Sequence, residues 1–177
     1  QYLFYIIANV QADNIKKVLL DFLETLEEPL FFILELPLSE NEEKEFRKNE
    51  NDPFHKAVYY IDGCTKKDIA YILEKSGDLL IDDGLSTFGF ASHTEHSEIM
   101  IMRYNIVYIL CNEIERYSSF FNNHGIKKVD KIKTAWDTFS KKCYGSAMRI
   151  ESNGKTVYSL LDDYKAWGIY RSEIREG

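Results

Sequence analysis

The sequence predicts an α+β fold: one domain in which a mixed, mainly antiparallel sheet is flanked by helices. Three observations predict it. Short apolar runs rich in β-branched and aromatic residues recur at Tyr2–Val10, Leu30–Leu36, Ala57–Ile61 and Asn105–Leu110. Helical apolar stripes separate only some of them, so the regular βα alternation of a doubly wound fold is missing. A length of 177 residues suits a single sizeable core.

Tyr2–Val10 is continuously apolar, the pattern of a strand buried on both faces. Asp13 is placed to cap the helix that follows, in which Ile15, Val18, Leu19, Phe22, Leu23 and Leu26 repeat at helical spacing. After Pro29, Leu30–Leu36 reads as a second buried strand. If the two strands share a sheet and run parallel, their crossover should be right-handed. Ser39–Asp52 is dense in charge and reads as a short exposed helix or a mobile loop. Ala57–Ile61 is a third strand. Thr65 and Asp68 form a capping box ahead of Ile69, Ile72 and Leu73, with Gly77 at the expected end of the helix. Leu79–Ile81 then reads as a short strand. Ser86–Ala91 and Ile99–Met102 are expected to pair across the loop that holds His93 and His96, and Asn105–Leu110 adds another strand.

Asn112 and Glu115 mark a helix start, with Gly125 after its end. Asp130–Lys141 reads as a helix carrying Ile132, Ala135, Trp136 and Phe139. Asn153-Gly154 is the strongest hairpin signal, because a type I′ turn needs positive φ at both central residues. A last helix begins near Ser159 and stops at Gly168. The sequence shows no internal repeat and no linker, so residues 1–177 are taken as one domain.

The net charge of −7 argues against general nucleic-acid binding, since a phosphate backbone selects a basic surface. An acidic surface instead attracts basic proteins and steers their encounter. The 3 cysteines, Cys64, Cys111 and Cys143, form no CxxC pair and no zinc spacing, as expected of free thiols in a reducing cytoplasm. No stretch approaches the ~18 apolar residues of a membrane helix. No basic segment precedes the N-terminal apolar run, so it does not read as a signal peptide. The chain begins inside a strand without a methionine, which points to further natural residues before it.

The richest stretch for chemistry is Asp78–Glu98. His93 and His96, separated by two residues, can reach one metal ion with Asp82, Asp83 or Glu98 completing the shell, or can sit in a solvated hairpin loop. Asp82-Asp83-Gly84 offers paired carboxylates for acid–base work, or a turn with Gly84 at positive φ. Adjacent strand residues point to opposite faces, which disfavours a shared ion. No phosphate-binding glycine motif is present. Cys64 at a helix N-terminus is placed for a lowered thiol pKa, or is an idle buried thiol. Glu42, Glu43 and Glu45, with Asp82, Asp83 and Glu98, make a candidate acidic surface for a basic protein. Tyr59, Tyr60, Phe88 and Phe90 are candidate aromatic anchors if exposed.

Several strings form a recognisable set. They are Pro29-Leu30-Phe31-Phe32-Ile33-Leu34-Glu35-Leu36-Pro37, then Asp52-Pro53-Phe54-His55-Lys56 leading to Val58-Tyr59-Tyr60-Ile61-Asp62-Gly63-Cys64-Thr65, and Leu80-Ile81-Asp82-Asp83-Gly84-Leu85-Ser86 leading to Phe88-Gly89-Phe90. Glu98-Ile99-Met100, Arg103-Tyr104-Asn105 and Thr134-Ala135-Trp136-Asp137-Thr138-Phe139 complete it. In order and content the set resembles the small Bacillus immunity proteins of the YxxD/YokJ type, from about Tyr2 to Arg175. The resemblance implies a cytoplasmic protein without enzyme activity or cofactor. It would bind and neutralise a cognate LXG-type toxin, whose secreted C-terminal domain would be a basic RNase. It transfers no binding residues; the six acidic candidates come from charge and position. The rival expectations are a metal-dependent hydrolase using His93, His96 and Asp82, and a general protein-binding adaptor.

Overall fold

A computed structural model describes residues 4–177 and shows an α+β protein built on one seven-stranded sheet of order β1-β6-β5-β4-β2-β3-β7. The strands are β1 (Phe4–Asn9), β2 (Leu30–Pro37), β3 (His55–Cys64), β4 (Thr87–Ser92), β5 (Glu98–Met102), β6 (Ile106–Cys111) and β7 (Tyr170–Glu176). Every neighbouring pair is antiparallel. Two helical crossovers, through α1 (Ala12–Thr25) and α3 (Lys66–Asp82), join strands that run the same way without being neighbours. The two helices pack on each other over the same side of the sheet.

The apolar stripe of α1 is buried as its spacing predicts: Ile15, Val18, Leu19, Phe22, Leu23 and Leu26 are all in the core. Asp13 does not cap it. The N-cap is Gln11, which makes no side-chain cap bond, and Asp13 stands in the first turn, where its charge meets the positive end of the helix dipole. The charged segment after β2 folds into α2 (Glu40–Phe46), started by a capping box between Ser39 and Glu42. The Thr65–Asp68 box starts α3 as expected.

Several expectations need correction. Gly77 does not end α3; the helix runs on to Asp82, so Leu79–Ile81 is its last turn and not a strand. The apolar residues Ile69, Ile72, Leu73 and Leu80 fall on one buried helical face, so a helix period continues through the run. β1 is not buried on both faces: it is an edge strand, and Phe4 and Tyr5 are 43% and 64% exposed. Tyr2 and Leu3 lie outside the described residues. Asp130–Lys141 forms only a 3-10 turn at Ala135–Thr138. Its rings pack locally, Trp136 and Phe139 both edge-on to Tyr104, so they satisfy themselves without a long helix.

The helix expected after Asn112 is split into α4 (Ile114–Tyr117) and α5 (Phe120–Asn123). Asn153-Gly154 does form its turn, with φ of 53° and 73°, but a single bridge, Ser152–Lys155, follows in place of two strands. The last helical segment, with α6 (Leu160–Asp163) at its centre, ends at Gly168 with φ 80°. β7 was not expected. Its sequence, YRSEIRE, has one apolar residue beyond its tyrosine and reads as polar because it is the other edge of the sheet. No helix among the described residues is long and apolar enough to cross a membrane.

Candidate functional site

Side-chain alternation gives the sheet two unlike faces. Leu30, Phe32, Leu34 and Leu36 of β2, with Ile61, Phe88, Phe90, Ile99, Ile101, Val107 and Ile109, face α1, α3 and α6 in the main core. The odd positions of β2 and their cross-strand partners face the other way. There a second cluster of Ile33, Val58 and Met100 is flanked by Phe31, Tyr60, Met102 and Tyr108. Every member of it belongs to a strand, so among the described residues no apolar side chain from a helix joins this cluster.

On this open face, rings run across three strands and the loop beside them. His93 lies 4.6 Å from Phe31, Phe31 5.7 Å from Tyr60, and Tyr60 6.2 Å from Tyr170. Asp62 ties the ends together: Tyr170 donates to its Oδ2 at 2.6 Å, and His93 Nε2 stands 3.5 Å from its Oδ1. That bond to a carboxylate pushes the Tyr170 hydroxyl above the usual phenol range. Burial does the same to Tyr60.

Beside this row is a cleft of about 460 Å³ lined by Phe31, Ala91, His93, His96, Glu98 and Asn112, among others. Its cause is the register. Ala91 of β4 pairs with Phe31 on one side and Glu98 on the other, so a methyl group stands between two large side chains. Two residues along, Gly89 stands between Ile33 and Met100. No hollow forms there, because a Cβ on Gly89 would lie 2.6 Å from Met100 Sδ: the methionine occupies that space.

At the other end of the open face, Glu35 accepts from Lys56 at 3.3 Å and pairs with Arg175. Burial, with Arg103 nearby, holds the Lys56 ammonium below its usual pKa. Glu35 and Lys56 are buried, and the exposed Arg175 closes the network toward solvent.

The six acidic candidates stand in three places. In α2, beside β3 and β7, Glu45 is exposed and Glu42 caps the helix and meets Arg171 at 2.9 Å. Glu43 is buried, accepting from the His55 backbone at 2.6 Å with His55 Nδ1 at 3.1 Å. At the end of α3, Asp82 is exposed, whereas Asp83 is buried and accepts from the amides of Leu85 and Ser86, with Arg149 at 3.4 Å. Glu98 alone lies on the open face. The Ser39 bonds hold the Glu42 carboxyl below its usual range, and burial holds Glu98 above it.

Gly84 is not at positive φ. It is required for close approach, since a Cβ there would meet the Met148 backbone at 3.0 Å. Asp82 lines a different cavity from His93 and His96, and no group of His, Cys, Asp and Glu among the described residues stands at metal-binding spacing. Cys64 is buried, and desolvation pushes its thiol up to about 11, which overrides the helix dipole and opposes a reactive thiolate. Phe88 and Phe90 are core residues; Tyr59 and Tyr60 are half-buried. Phe31, Asp62 and Tyr170 were missed as site residues. The alternation of β2 carried the signal for Phe31, but β2 is apolar at nearly every position, so the two faces look alike.

Comparison with family models, curated proteins and solved structures finds no match to this chain.

Proposed function

We propose that this protein is an immunity protein that binds and neutralises a cognate toxin domain in the cytoplasm, without catalysing a reaction itself. The reading rests on the resemblance to immunity partners of LXG-type toxins. The observation that carries it furthest is the helix-free sheet face, where rings of Phe31, Tyr60 and Tyr170 stand with the carboxylates of Asp62 and Glu98. Aromatic side chains flanked by acids suit a basic protein partner such as an RNase domain. The accessible acids Glu42, Glu45 and Asp82 lie outside this face and contribute to steering.

Co-expression with an LXG toxin domain encoded beside this gene tests the reading. Rescue of growth together with co-purification is expected, and toxicity undiminished by this chain would sink it. Reversing Glu42, Glu45 and Asp82 to lysine should slow association and weaken its salt dependence, while dissociation changes little.

A further inference from the structure

The cleft beside Phe31 has unmet bonding capacity. Glu98 stands half-buried at the start of β5, where burial pushes its carboxyl up, and among the described residues it makes no salt bridge or side-chain hydrogen bond. Asn112, which lines the same cleft, has a buried Oδ1 with no partner among the described residues. Phe31 forms the opposite wall, with Ala91 between them. Strands lie ~4.8 Å apart, so the Phe31 and Glu98 backbones are separated by about 10 Å. That width admits one flat group, with an aromatic face on one side and acceptors on the other.

We propose that this cleft is a recognition pocket for an arginine side chain of the partner protein. This rests on the protein-binding reading above and names what that same face recognises. A guanidinium is planar, stacks on an aromatic ring, and presents a fork of donors that a carboxylate accepts in pairs. Glu98 supplies the carboxylate, Asn112 Oδ1 takes a further N–H, and the Phe31 ring covers the cationic plane. A lysine ammonium satisfies Glu98 but does not match the width or the second acceptor. An arginine would also replace the lost hydration of Glu98.

The test needs no toxin. The protein is titrated with N-acetylarginine amide, N-acetyllysine amide and N-acetylnorleucine amide while the His93 and His96 ring resonances are followed by NMR. Saturable shifts with the arginine derivative are expected, at least tenfold weaker with lysine and absent with norleucine. Glu98→Gln should abolish them. Ala91→Leu should block the cleft while leaving the carboxylate in place. Glu98→Gln should also raise Tm, because an uncompensated carboxylate is removed. Equal shifts from all three compounds, no saturable shift from any, or binding unaffected by Glu98→Gln would each overturn the pocket. Growth rescue by the Glu98→Gln variant at full strength, with arginine binding lost, would leave the immunity reading standing and remove the pocket from it. Arginine binding without rescue by the wild-type chain would do the reverse.

Discussion

The two faces of the sheet share their strands and differ in what finishes them. The helix side is closed by apolar side chains from α1, α3 and α6, and Phe32, Leu34, Phe90 and Ile109 there are essentially inaccessible. The open side keeps its apolar cluster small and rims it with rings and charges that stay half in water. The first arrangement specifies the fold, and the second leaves bonding capacity over. Burial on the helix side is therefore a statement about stability, and partial burial on the open side leaves aromatic and polar surface uncovered.

This contrast is open to direct attack. Phe32→Ala on the helix side should cost about 3–5 kcal/mol in chemical denaturation, enough to threaten folding. Asp83→Ala should cost about 1–3 kcal/mol, because the amides of Leu85 and Ser86 lose their acceptor and Arg149 its neighbour. Thr65→Ala should cost about 1 kcal/mol by removing the cap of α3. Tyr60→Ser, by contrast, should stay below about 1 kcal/mol in stability yet reduce partner affinity by at least about 2 kcal/mol. Equal stability losses for Phe32→Ala and Tyr60→Ser would erase the distinction between the faces.

The smallest effect concerns pH. The carboxyls of Glu42 and Asp68 are held below their usual range by capping bonds, and Asp52 by the Asn49 and Lys48 amides. Their folded pKa values lie below the unfolded ones, so their contribution is complete above the ordinary carboxylate range. It is lost as pH falls through the depressed values. Glu98 has the opposite sign: its folded pKa is raised above the unfolded one, so acid relieves its burial and adds stability as pH falls from that raised value to the ordinary carboxylate range, where the gain is complete. Melting curves between pH 3 and pH 7, ranges set by ~4 as the usual carboxylate value, should therefore fall more steeply on the acid side in Glu98→Gln than in the wild type. Parallel curves would contradict the assignment.

Much of the fold was legible because local chemistry and global placement agreed. The Thr65–Asp68 box and the Asn153-Gly154 turn rest on bonds or backbone geometry within a few residues, and the stripe of α1 is a periodicity its own sequence carries. What was illegible depended on distant partners. Leu79–Ile81 looks like a strand in isolation, and only packing on the sheet beneath shows it as helix. β7 has no apolar signature because one neighbour, β3, holds it in place. The candidate site was half legible: Glu98 and the histidines were singled out by residue type. Their separation from Asp82, and the approach of Phe31, Asp62 and Tyr170, arise from register between strands far apart in sequence.

Ala91 carries a consequence beyond its own methyl group. It is flanked by Phe31 and Glu98 and faces away from the helices, so its volume sets the depth of the cleft and little else. In the proposed pocket, one codon there would act as a dial on selectivity: a larger residue would shut out the arginine side chain, while the helix-side core is left untouched. A fold arranged this way would let its recognition change while its architecture stays fixed.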